Sequence, residues 1–102
     1  MRKIEDKVCG AFAWHREASL DNTRSDGNHL YLHGNMIAKW VDGEVYFSLA
    51  GWNTVTTRSR ISAVALILHK QGVSCKRGVP YHNGVEISTE GWWIMRPASN
   101  EV

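Results

Sequence analysis

The sequence predicts an α+β fold: an antiparallel sheet packed by two helices, in the order α-β-β-β-α-β-β-β. Three observations predict it. Apolar residues recur at helical spacing in two segments, residues 3–18 and 57–71. Between them, residues 29–33, 37–41 and 44–49 alternate in polarity as half-buried strands do. After the second helix comes a smaller β region built around Asn83-Gly84, a strong two-residue hairpin signal.

The first helix is predicted from Ile4, Val8, Ala11 and Phe12, which share one face. Gly10 weakens it by about 1 kcal/mol relative to alanine. Residues 19–28 are rich in Ser, Asp, Asn and Gly and are predicted as a loop. In the sheet, Asp42-Gly43 sets a two-residue turn that places Trp40 opposite Val45 and Ala38 opposite Phe47. The preceding turn is less determined. A two-residue Gly34-Asn35 loop would turn Leu30 and Leu32 to the polar face, because one step of register reverses every side chain. A three-residue loop, Gly34-Asn35-Met36, pairs Leu32 with Ala38 and Leu30 with Trp40. It gives a continuous core face of Leu30, Leu32, Ala38, Trp40, Val45, Phe47 and Leu49. The outer face then carries His29, Tyr31, His33, Ile37, Lys39, Val41, Glu44, Tyr46 and Ser48.

The second helix is predicted with Thr56 as N-cap, Ile61, Val64, Ala65 and Leu68 as its buried stripe, and Gly72 as its stop. A last strand, residues 92–96, ends at Pro97. Residues 1–97 make one domain and 98–102 a flexible tail.

Composition narrows the function classes. The chain has 102 residues, 43% hydrophobic and 22% charged, which suits one soluble globular domain. Cys9 and Cys75 lack CxxC spacing and read as free thiols of a reducing compartment. The opening Met-Arg-Lys-Ile-Glu-Asp-Lys is too polar for a signal peptide, and the longest apolar run, residues 63–68, falls short of the ~18 residues of a membrane span. The expected location is the cytoplasm, with no membrane partner.

Charge is unevenly placed. Residues 45–85 contain no Asp or Glu but carry Arg58, Arg60, Lys70, Lys76 and Arg77. A helix N-terminus favours acids, yet this one opens with arginines. Trp52, Asn53, Thr56, Thr57, Arg58, Arg60, Lys76 and Arg77 are therefore the candidate partner- or anion-binding residues. The plain alternative pairs the arginines with distant acids such as Glu17 or Asp21. Tyr31, Lys39 and Tyr46 on the outer sheet face form a second candidate surface, unless the first helix or the C-terminal β region covers it. Net charge is only +2 and the pI near 8.7, below the range of about 9 and above that marks dedicated nucleic-acid domains.

No GxSxG, HExxH, P-loop or GxGxxG occurs, and the histidines and cysteines lack the paired spacing of a zinc site. The sequence therefore predicts no catalytic residues, metal or cofactor; Cys9 or Cys75 as a nucleophile is the residual enzymatic alternative.

The segments 32–38, Leu-His-Gly-Asn-Met-Ile-Ala, and 48–61, Ser-Leu-Ala-Gly-Trp-Asn-Thr-Val-Thr-Thr-Arg-Ser-Arg-Ile, resemble a group of small tailed-bacteriophage proteins. These share G-N-x-I-A, a strand pair, then A-G-W-x-T-x-T-T-R-x-R and an apolar helix. The resemblance covers about the middle third. It departs at Ser62, where that pattern has Asn. It implies a phage origin, and small phage proteins of this size are often stoichiometric inhibitors of host machinery, including defence systems, as anti-CRISPR proteins are. The implied partner is a bacterial host protein or nucleoprotein complex. Nucleic acid bound through the basic helix start is the alternative. The α-β-β-β-α order is also similar to a double-stranded RNA-binding domain, although the lysine-rich helix opening of that family is missing.

Overall fold

The structure, a computed structural model, describes residues 2–98. It is α+β. Helix α1 is a π-helical turn over Glu5–Cys9 that continues as α-helix over Gly10–Ala13. Five antiparallel strands follow as a meander: β1 (Glu17–Leu20), β2 (Thr23–Asp26), β3 (His29–Leu32), β4 (Asn35–Val41) and β5 (Glu44–Phe47). Helix α2 spans Val55–Ile67. Strands β6 (Val73–Lys76), β7 (Val79–His82) and β8 (Val85–Glu86) form a second sheet, and β9 (Trp93–Ile94) returns to the first one. The sheets run β1-β2-β3-β4-β5-β9 and β6-β7-β8.

Both helices pack on one face of the large sheet. Val8 and Phe12 of α1 and Ile61 and Val64 of α2 join Leu30, Leu32, Ala38, Val45, Phe47 and Leu49 in one buried apolar cluster, which Val73, Ile87 and Met95 extend. The predicted core face is thus occupied as expected. Trp40 is the half-buried member; its Nε1 donates to Phe12 O at 2.9 Å and ties the sheet to the end of α1.

The first helix stops earlier than predicted, at Ala13, and residues 17–26 are a hairpin rather than helix and loop. The helix end is a Schellman arrangement. His15 adopts a left-handed φ of 58°, His15 N–H donates to Phe12 O, and Arg16 N–H donates to Ala11 O at 2.7 Å. Helix α2 ends the same way, with His69 at φ 58° and Lys70 N–H on Ala65 O at 2.7 Å. Its stop is therefore His69 and not Gly72. Gly72 serves packing instead: a Cβ there would lie 2.8 Å from Ser62 Oγ. That hydroxyl accepts from Val73 N–H at 3.0 Å and fastens α2 to β6.

The extra hairpin escaped the polarity pattern because its inward residues are hydroxylic. Thr23 and Ser25 are buried and donate locally: Ser25 Oγ to Arg16 O at 2.7 Å and Thr23 Oγ1 to Asn22 Oδ1 at 2.8 Å.

The β3–β4 turn corrects the three-residue loop. Its two turn residues are His33 and Gly34, at φ 52° and 80°, and Leu32 pairs with Asn35. A bulge between Leu30 and Tyr31 then gives Leu30↔Ala38, in place of the expected Leu32–Ala38 and Leu30–Trp40 pairs. The bulge buries Ile37 as well as Ala38, so Ile37 leaves the outer face. The β4–β5 register is the predicted one, Trp40↔Val45 and Ala38↔Phe47. Strand β9 is shorter than the predicted 92–96 and pairs Ile94 with Tyr46. Ala98, assigned to the tail, is held by its N–H on His69 O at 3.1 Å; residues 99–102 of that tail lie outside the described residues.

His82 closes the C-terminal part. It is buried, with Nδ1 3.1 Å from Gly72 O and Nε2 accepting from Arg96 N–H at 3.0 Å. The second bond requires an unprotonated Nε2, and burial holds the imidazole below its ordinary pKa of 6.5, although the Gly72 carbonyl opposes this. The stability that neutral His82 contributes is complete above 6.5 and is lost as the pH falls from there through the depressed folded value. Urea unfolding of wild type and His82→Gln across that range should show a stability gap that is constant above pH 6.5 and narrows below it, with a slope of at most about 1.4 kcal/mol per pH unit.

Candidate functional site

Helix α2 begins where the chain leaves β5 through a tight turn at Ala50-Gly51. Its N-cap is Thr54 rather than Thr56: Thr54 Oγ1 accepts from Thr57 N–H at 3.1 Å. The buried stripe of α2 is Thr57, Arg60, Ile61, Val64 and Ala65, at the i, i+3, i+4, i+7, i+8 spacing of one helix face.

Arg60 therefore points inward. It is 4% exposed, and its Nη1 lies 2.8 Å from Glu5 Oε2, itself 4% exposed. Arg60 Nε donates to Thr23 Oγ1 at 3.0 Å, and Ser59 Oγ donates to the same Glu5 oxygen. Neither of the acids expected as partners, Glu17 or Asp21, is the one that pairs. Arg60 is a strut joining α1, α2 and β2, and it is not available to a ligand. Cys9 sits against this cluster, its Sγ 3.5 Å from Arg60 O. Burial, reinforced by the Glu5 charge, pushes its thiol up to about 12, so it is protonated at neutral pH.

Arg58 is linked to the turn that carries the remaining basic candidates. Asn53 accepts a hydrogen bond from Arg58 through Oδ1 and donates through Nδ2 to Gly78 O at 3.1 Å. One side chain thus bridges Arg58 to the β6–β7 turn, where Lys76 and Arg77 are exposed. Among the described residues, none of the salt bridges involves Arg58, Lys76 or Arg77.

Beside this corner lies a cavity of about 370 Å³. Leu32, Ile37 and Leu49 line it together with Trp52, His33, Asn35, Thr54, Thr56 and Thr57. Trp52 stands at it 60% exposed, and neighbouring Val55 is 65% exposed. Thr57 is buried and belongs to the wall, whereas Thr56 is half-buried. The cavity was not read from the sequence; its lining comes from the segments 32–38 and 48–61 that carry the phage resemblance, which fold against one another here.

The outer sheet face keeps Tyr31, Lys39 and Tyr46 half-exposed. The helices lie on the opposite face, and β9 extends the sheet edge. Its cations are already engaged by rings of the same chain: Arg24 lies 4.2 Å from the Tyr31 ring centroid and Lys39 Nζ 4.3 Å from that of Trp92.

Residues 1–96 match the family described as Kyanoviridae Gp96 protein. The chain belongs to this family. It is accordingly a tailed-phage protein. No curated protein and no solved structure matches it. The family description states no activity, so the arrangement of residues at the Trp52 cavity bears the functional argument. Among the described residues, no group of three His, Cys, Asp or Glu is placed to hold a metal ion, and no helix is long and apolar enough to cross a membrane.

The two arginines should separate cleanly. Arg60→Gln leaves Glu5 buried without its charge partner and should cost about 3–5 kcal/mol in urea unfolding. Arg58→Gln, half-buried and in no salt bridge among the described residues, should cost under about 1 kcal/mol.

Proposed function

We propose that this phage protein is a non-catalytic binding protein that engages a bacterial host protein, as an anti-defence or host-takeover inhibitor. The observation that carries the reading is an exposed Trp52 and an apolar cavity beside Arg58, which Asn53 joins to the turn bearing Lys76 and Arg77, three cations that have no carboxylate partner among the described residues. Exposed tryptophan and arginine are the residue types that dominate binding energy at protein interfaces. An unpaired cation cluster adds steering toward an oppositely charged surface. The protonated state of buried Cys9 argues against the thiolate-nucleophile alternative at that residue.

The same corner supports a second reading, in which Arg58, Lys76 and Arg77 neutralise phosphates and Trp52 stacks on a base. The corner favours this reading less than the protein one, because three cations give only a modest sequence-independent affinity for phosphates.

The test is capture from lysate of the bacterial host with and without nuclease, using wild type, Trp52→Ala and an Arg58→Gln/Arg77→Gln variant. The expected result is a stoichiometric, nuclease-resistant partner protein that both variants lose. Recovery of nothing above background, or of a partner released by nuclease, would overturn the proposal.

A further inference from the structure

The cavity and the corner differ in chemistry, and that difference specifies what fits both. The floor is aliphatic: Leu32, Ile37 and Leu49 are all buried and bring no polar atom on their side chains. At about 370 Å³ the space lies at the lower end of the ~300–1,000 Å³ typical of ligand cavities. It admits one or two side chains rather than a folded surface. Trp52 forms an exposed apolar wall on its open side. One residue further along, Asn53 holds Arg58 against the turn that carries Lys76 and Arg77. Glu90 belongs to the turn whose Thr89 O accepts from Gly51 N–H at 2.7 Å, and it pairs with none of these cations among the described residues.

We infer that the Trp52 cavity takes a single apolar side chain of an acidic segment of the partner, whose flanking carboxylates meet Arg58, Lys76 and Arg77. This rests on the reading of the corner as a protein-docking site and specifies the docked chemistry. A nucleobase fits worse. Any polar edge turned to Leu32, Ile37 and Leu49, and not to the Asn35, Thr54 and Thr56 side chains that also line the cavity, is desolvated at a cost of about 1–3 kcal/mol for each group left unpaired. An aliphatic or phenyl side chain incurs no such cost and gains with the area removed from water. Carboxylates on the adjoining chain then pair with arginine in the bidentate geometry that guanidinium favours. The occupant is therefore an acidic peptide with one apolar anchor.

Fluorescence anisotropy with labelled short peptides tests this at about 0.15 M salt, where long-range charge effects are screened beyond roughly 8 Å. The probes are a Glu-rich peptide bearing one Phe, the same peptide with Phe replaced by Ser, a Lys-flanked Phe peptide, and an oligothymidylate. The expected result is binding of the acidic Phe peptide at least tenfold tighter than that of the other three. Trp52→Ala and Thr56→Phe, which removes the wall or fills the cavity, should each weaken it at least tenfold. The Arg58→Gln/Arg77→Gln variant should do the same, and its affinity should lose most of its salt dependence. Circular dichroism identical to wild type would exclude unfolding as the cause.

Equal affinity for the Ser and Phe peptides, or tighter binding of oligothymidylate, would overturn the inference. So would a host protein whose capture depends on Trp52 but is not competed by the acidic Phe peptide; in that case the docking site would stand and its assigned chemistry would fall. Capture that ignores Trp52 would remove the docking site itself.

Discussion

The Glu5–Arg60 ion pair is the constraint on which the rest of the arrangement depends. Each ion is buried at 4% exposure, 55 residues apart in sequence, and each sits on the apolar stripe of its helix. A lone buried charge is costly enough that neither helix could pack as it does without the other. The pair therefore fixes the rotation of α2 about its axis as well as its contact with α1. Thr23, donor-bonded to Asn22 and accepting from Arg60, brings β2 into the same network. With Arg60 turned inward, Arg58 emerges two residues earlier on the other side, where Asn53 receives it. The exposed corner is a consequence of the buried pair.

That logic also explains the acid-free window. The positive charge of residues 45–85 looked like a single patch in sequence. In space it divides. Arg60 neutralises a glutamate from α1, Lys70 Nζ lies 4.0 Å from Glu44, and Arg58 is joined through Asn53 to the turn that carries Lys76 and Arg77. An arginine four residues before Val64 and one before Ile61 lies on the buried face by helical arithmetic. Glu5 precedes Val8, Cys9 and Phe12 by three, four and seven residues. An acid on one apolar stripe and a base on the other is a legible signal for a buried pair, and it outweighs the reading of Arg60 as a ligand contact.

Much of the sheet was legible because alternation and turn chemistry agreed. Asp42-Gly43 and Asn83-Gly84 mark their hairpins plainly, with both residues of each at positive φ. His33-Gly34 and Arg77-Gly78 make turns of the same backbone form, but histidine and arginine are rare first residues there. The helix ends were hidden for a related reason: His15 and His69 occupy left-handed positions that glycine usually fills. The β1–β2 hairpin was hidden by its inward Thr23 and Ser25, whose burial depends on hydrogen bonds that a polarity pattern does not record. The cavity needed the tertiary fold, since its walls come from β3, β4 and the β5–α2 connection. Its lining residues fall in the two segments that carry the phage resemblance, but nothing in the sequence marked those segments as facing one another.

A double-mutant cycle on Glu5→Leu and Arg60→Met, followed by urea unfolding, tests the dependence of the fold on the buried pair most directly. The account predicts that the double variant loses far less stability than the sum of the single losses, with an interaction energy of about 1–3 kcal/mol, because two apolar groups replace two charges that need one another. Strictly additive losses, or single variants as stable as wild type, would contradict it.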